Sequence, residues 1–174
     1  MPNFKTIFVD LETSSLRTFD GEILEFAVGT EIAGSFTIVS RKVQPEHIQT
    51  ADPVSLDING YCAKKWKTAI PKKVAAAMLY AAIKDADVWV GHNPDFDRRF
   101  VRALFKEHYP DFRLPKLVVD TRALAVAAFA IDGLQSSSMD TIRKHLGWSF
   151  EGAHTAAKDV MDCRKLYHMC RFNA

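Results

Sequence analysis

The spacing of apolar positions changes character along the chain. Phe4 to Val9 is a short β-branched run, and Glu22 to Ile32 and Ser35 to Val43 are two more, joined through Ala33-Gly34. Runs of this length bounded by turn residues predict a strand followed by a hairpin. Residues 44–70 carry Pro45, Pro53 and Gly60 among mixed polar positions with no sustained period, which predicts a long connection with a short helix near Val54 to Tyr61. The stretch PKKVAAAMLYAAIKDA from Pro71 is alanine-rich with proline in its first turn and predicts a helix, and DVWVG predicts a strand. Beyond it the pattern predicts a helix from Pro94 to His108, a strand at Leu117 to Val119, and helices near Thr121 to Ala130, Ser138 to Leu146 and Thr155 to Cys170. A meander of strands followed by strands alternating with helices is the pattern of an α/β layer fold with a mixed sheet.

Within this frame three acidic positions break the pattern. Asp10 and Glu12, in FVDLET, stand at the end of the first strand two residues apart, so both carboxylates project from the same face. In GHNPDFDRRF, Asn93 is placed as an N-cap and Pro94 as the first helical residue. With Phe96 at zero, Phe100 falls at about 40°, Leu104 at about 80°, Val101 at about 140° and Phe105 at about 180° around the helix. Asp97 lands in that apolar stripe at about 100°, whereas Asp95, at about 260°, lies among Arg99, Arg102 and Lys106 and suits the positive helix start. In EGAHTAAKDV the last helix places Asp159 inside an apolar arc with Val160, Cys163, Leu166 and Cys170, with Asp162 at its margin and Lys158 facing away. His154 is expected in the loop before that helix.

Each signal alone has a plainer explanation: a solvated strand end for Asp10 and Glu12, a buried salt bridge to an arginine for Asp97, an ordinary exposed imidazole for His154. Together they ask for a common cause, because an ionised carboxylate in an apolar stripe costs several kcal/mol unless it is paired or bound to metal. Oxygen-only ligation fits Mg²⁺ or Mn²⁺, and four carboxylates can hold two such ions about 3.5 to 4 Å apart, the arrangement used for in-line phosphodiester displacement.

Composition narrows the setting. At 174 residues, 48% hydrophobic and 25% charged, the chain has the balance of one globular domain spanning residues 1–174, without the bias of a disordered or membrane class. No apolar run reaches the roughly 20 residues of a membrane span, and the N-terminus lacks a leader pattern, so a cytoplasmic location is expected. Cys62, Cys163 and Cys170 are odd in number and lack paired spacing, and read as reduced core thiols. Net charge is only +2, but Lys64, Lys65, Lys67, Lys72 and Lys73 cluster in one stretch that is either a solvated surface or a phosphate contact.

The order D-x-E (Asp10, Glu12), H-N-x-x-F-D (ending at Asp97) and H-x(4)-D (His154 to Asp159) resembles the DEDDh exonucleases, the superfamily of polymerase proofreading subunits, ribonuclease T and oligoribonuclease. ILEFAV and VVDTRALA are similar to further elements of that family, and Thr155 stands where its sister branch has tyrosine. The resemblance implies a ribonuclease H-like fold, a mixed five-stranded sheet flanked by helices. It implies a 3′–5′ exonuclease in which Asp10, Glu12 and Asp159 hold one Mg²⁺ or Mn²⁺, Asp10 bridges to a second, Asp97 assists, and His154 is the general base. Leu11, Glu12 and Thr13 would contact the 3′-terminal nucleotide, with Asn93 and Phe96 in the same neighbourhood. Single-stranded 3′ ends, DNA before RNA, are the expected partners and nucleoside 5′-monophosphates the expected products. An exoribonuclease is the second possibility, and a module that binds nucleic acid without cleaving it a third. Thr13-Ser14-Ser15 departs from the family's T-T-G or T-S-G.

Overall fold

A computed structural model describes residues 4–172. Strands β1 (Thr6–Thr13), β2 (Ile23–Ile32) and β3 (Ser35–Lys42) form the meander, and β4 (Val88–Gly91) and β5 (Leu117–Asp120) complete one sheet in the order β3-β2-β1-β4-β5. The first three strands pair antiparallel, while β4 runs parallel to both β1 and β5, so the sheet is mixed. The helices are α1 (Pro53–Ile58), α2 (Lys72–Ile83), α3 (Pro94–His108), α4 (Thr121–Phe129), α5 (Met139–His145) and α6 (Ala156–Phe172). Among the described residues no helix is long and apolar enough to cross a membrane.

Alternation along β1 divides the core. Ile7, Val9 and Leu11 point into a cluster with Ala75, Ala76, Leu79 and Ile83 of α2 and Phe100, Val101, Leu104 and Phe105 of α3. Phe8 points the other way, onto Ala156, Val160 and Cys163 of α6 and Met139 of α5. The sheet is therefore a middle layer, and β1 is its central strand, held on both sides.

The strand runs four residues further than its apolar run of Phe4 to Val9, through Asp10 and Glu12 to Thr13. Pairing with β2 carries it there: Asp10 faces Ala27, Leu11 faces Phe26 and Glu12 faces Glu25, before a register shift at Thr13. The predicted long connection is pinned at Trp66, which is buried and donates its Nε1–H to the Leu24 carbonyl at 2.8 Å. The lysine-rich stretch around it is mostly solvated, with Lys72 joined to Glu107 at 2.6 Å. Cys163 and Cys170 are buried free thiols as expected, but Cys62 is exposed, because it sits in the turn leading to Trp66.

Candidate active site

The end of β1 and the start of α6 converge. One carboxylate oxygen each from Asp10, Glu12 and Asp159 lies within 4.8 Å of the others. Asp10 and Glu12 share a sheet face because they are two apart in a strand, and Asp159 reaches them from the first turn of α6.

Asp97 approaches from the opposite layer. The turn that delivers it is tight: a Cβ on Gly91 would come within 2.9 Å of the Pro94 ring, and Asn93 adopts the left-handed conformation at φ 72°. Asn93 occupies the cap position, yet its side chain makes no capping bond, contrary to its expected role. Its backbone N–H donates instead to Asp120 Oδ1 at 3.2 Å, and Asp120 also caps α4 through the Arg122 N–H. The helix then turns Asp97 inward, 3% exposed, and Asp95 outward. Asp97 Oδ1 accepts the Leu11 N–H at 3.0 Å, so it is held by backbone and not by an arginine. It lies outside the trio of oxygens but acts on them, raising the pKa of Asp10.

Burial and mutual repulsion push these carboxyls toward their neutral forms. Asp10 is held well above the ordinary carboxylate range by burial, then by the charges of Asp97, Asp159 and Glu12. Glu12 is raised from 4.5 to about 7 by burial, with Asp159 and Glu25 adding to it and Lys42 opposing. Asp97 and Asp159 are raised as well, burial being the first cause in each. An all-oxygen cluster of acids that resist ionising is a donor set suited to a hard divalent cation, which would remove the repulsion.

Arg143 was not singled out by the sequence, and it is the organising cation of the site. Its side chain is fully buried, and its guanidinium donates to Asp162 Oδ2 at 2.8 Å, to Asp140 Oδ1 at 2.8 Å and to Asp159 Oδ1. Asp162, expected at a margin, is 4% exposed because Arg143 and Lys158 both neutralise it, and Lys158 turns inward to do so. Only a weak signal was available: with Met139 at zero, Ile142 falls at about 300° and Leu146 at about 340°, and Arg143, at about 40°, borders that apolar arc.

His154 lies in the loop before α6 with a left-handed φ of 61°. Its ring is near enough to Asp159 to favour the ionised carboxylate there, and its Nε2 lies 3.4 Å from Asp140 Oδ2. Leu11 and Thr13 are buried on the sheet face opposite Asp10 and Glu12, and the Thr13 hydroxyl donates to the Ser15 carbonyl at 2.9 Å. Phe96 is half-buried against Phe100, packed on the α2 and α3 core.

A stability prediction follows from the raised acids. Between pH 4.5 and about 7 the folded protein holds a proton on Glu12 that the unfolded chain has released. Stability without metal is therefore full below the unfolded value and falls as pH rises through this window, by up to about 3 kcal/mol for Glu12 alone. Thermal melts from pH 4.5 to 8 in chelator should show the decline, and Mn²⁺ or Mg²⁺ at pH 8 should reverse it. A flat profile unaffected by either ion would contradict this electrostatic picture.

Comparison with known proteins agrees with the geometry. Residues 7–167 match the RNase T exonuclease family. The chain is 34% identical over 91 residues to the 3′–5′ exonuclease DinG of Staphylococcus aureus strain USA300, covering 52% of this chain and 10% of that protein. It thus spans about a tenth of the length of the curated relatives it matches. Escherichia coli exonuclease I in complex with a dT13 oligonucleotide superposes with a TM-score of 0.76 at 17% identity, over 96% of this chain and 40% of that one. The zinc-bound form of the same enzyme with single-stranded DNA gives 0.75 at 17% identity, over 96% and 40%. The match across nearly the whole chain places this protein in the RNase T exonuclease family, in keeping with its ribonuclease H-like sheet and the acidic cluster at the end of the central strand.

Proposed function

We propose that residues 1–174 act as one exonuclease domain that removes nucleotides from the 3′ end of single-stranded DNA as nucleoside 5′-monophosphates, in a divalent-metal-dependent reaction. The observation that carries this reading is the convergence of Asp10, Glu12 and Asp159 within 4.8 Å, with Asp97 bonded to the backbone between the first two. Three half-buried acids crowded beside a buried one have no structural benefit without a cation between them. The preference for DNA is supported by the fold shared with exonuclease I, whose complexes hold DNA oligonucleotides. A cytoplasmic setting belongs to the same proposal.

In this mechanism Asp10, Glu12 and Asp159 would hold one Mg²⁺ or Mn²⁺, and Asp97 would help Asp10 to hold a second. The ions, when bound, polarise the phosphoryl oxygen and lower the pKa of water. Glu12 and Asp10 are presented from the central strand, where pairing with β2 at Ala27 and Glu25 keeps them from shifting as substrate enters. His154 accepts the proton of the attacking water at a ring nitrogen, a task that an imidazole with one free lone pair can perform. Arg143 opposes the protonation of Asp159 and orients its carboxylate. The backbone around Leu11 and Thr13, with the Glu12 side chain, faces the terminal nucleotide, and Asn93 and Phe96 shape the turn behind it.

Incubation of 5′-labelled DNA and RNA strands of one sequence, with Mg²⁺ and then Mn²⁺, tests the reading. A ladder shortening from the 3′ end of DNA, abolished by chelator, is the expected result. Laddering on RNA alone would replace the DNA preference by the exoribonuclease reading, and binding without cleavage of either strand would overturn the enzymatic one.

A further inference from the structure

The loop that carries His154 is held by the Ala153 N–H donating to the Phe150 carbonyl at 3.0 Å and the Thr155 hydroxyl to the Gly152 carbonyl at 2.8 Å, but the His154 ring itself is 45% exposed on a left-handed backbone. Facing it is Asp140, in the first turn of α5. That turn is rigid, because the Ser138 side chain accepts the Thr141 N–H at 3.3 Å and Asp140 Oδ1 accepts Arg143 Nη1 at 2.8 Å. The guanidinium is itself locked by Asp159 and Asp162. One carboxylate oxygen of Asp140 is therefore committed to Arg143, and the other, Oδ2, lies 3.4 Å from His154 Nε2.

We propose that Asp140 is a positioning residue for His154, holding its ring in one tautomer and one orientation relative to Asp159. The proposal rests on the reading of His154 as the proton acceptor. A carboxylate at Nε2 favours the proton on that nitrogen and leaves Nδ1 with the lone pair that takes the proton from water. A base fixed by a third group is the arrangement that nucleophile-activating sites require. Arg143 links the parts: the same buried cation orients Asp159, on α6, and Asp140, which faces the base from α5. One guanidinium thus joins the metal ligand to the carboxylate that faces the base.

Asp140→Asn is the informative change. Its oxygen stays with Arg143 and its amide donor turns to His154, so the ring is driven to carry its proton on Nδ1. Turnover on a 5′-labelled DNA strand should fall by about 10- to 100-fold with KM nearly constant, and Asp140→Glu should restore most of it. In a His154→Ala background Asp140→Asn should add no further loss. Ring ¹⁵N shifts of His154 in the metal-free protein give a second readout that needs no catalysis: proton on Nε2 in the wild type, on Nδ1 in Asp140→Asn. An unchanged tautomer, or losses that add independently in the double variant, would overturn the proposal. If the wild type cleaves neither strand, the exonuclease reading fails while the ring shifts still decide whether Asp140 sets the state of His154.

Discussion

Replacing Arg143 by alanine is expected to destabilise the protein by about 3 to 5 kcal/mol, since removing one member of a buried ion network leaves its partners charged and unpaired. Asp162 would keep only Lys158, at 2.6 Å, and Asp159 would lose its sole cationic hydrogen-bond donor among the described residues. For a domain of this size the change corresponds to a drop in melting temperature of roughly 10 °C or more. Arg143→Lys should recover less than half of it, because a single ammonium cannot reach three carboxylates with the planar geometry of a guanidinium. Chemical denaturation of both variants near pH 7 measures the effect. A loss below about 1 kcal/mol for alanine would mean that water reaches the site and screens these acids.

The second large effect separates two neighbouring aspartates. Asp97→Asn should reduce cleavage by a factor on the order of 10³, as for loss of a group that acts together with the metal site. Its amide oxygen can still accept the Leu11 N–H, and the change removes a charge whose burial raises its pKa, so stability at pH 8 should hold or rise. Asp95→Asn, on the solvent side of the same turn, should leave cleavage intact and cost about 0.3 to 1 kcal/mol. Parallel assays and melts of the two variants settle the matter. Equal loss of activity in both would refute the division of α3 into an inward and an outward face.

That division was legible because helix periodicity alone decides which of two acids, two residues apart, faces the core. The projection around α3 put Asp97 in the apolar stripe, and it is 3% exposed. The same reasoning set Asp159 toward Asp10 and Glu12, which the structure brings together. Periodicity could not show the rest. Asp10 and Glu12 were expected at the end of β1, but that the strand runs on to Thr13 depends on β2 continuing beside it, a tertiary cause. The side chain of Asn93 does not cap because the Gly91 to Pro94 turn demands a left-handed residue, which asparagine tolerates. Arg143 was missed because a basic residue in the last turn of a helix is ordinarily a solvated complement to the helix dipole. The projection of α5 places it only at the border of an apolar arc, and the three carboxylates that make its burial tolerable come from α5 and α6.

The central position of β1 has a kinetic consequence. Its amides are shielded by β2 along the whole strand and by β4 at Thr6–Phe8, and the Leu11 N–H is closed off by Asp97. Edge strands β3 and β5 and the outer helices can open transiently while this strand stays intact, so the amides of residues 7–11 should be among the slowest to exchange with deuterated solvent. Asp10 and Glu12 thus ride on the last segment to let go, while Asp97 and Asp159 stay with them only as long as α3 and α6 remain docked.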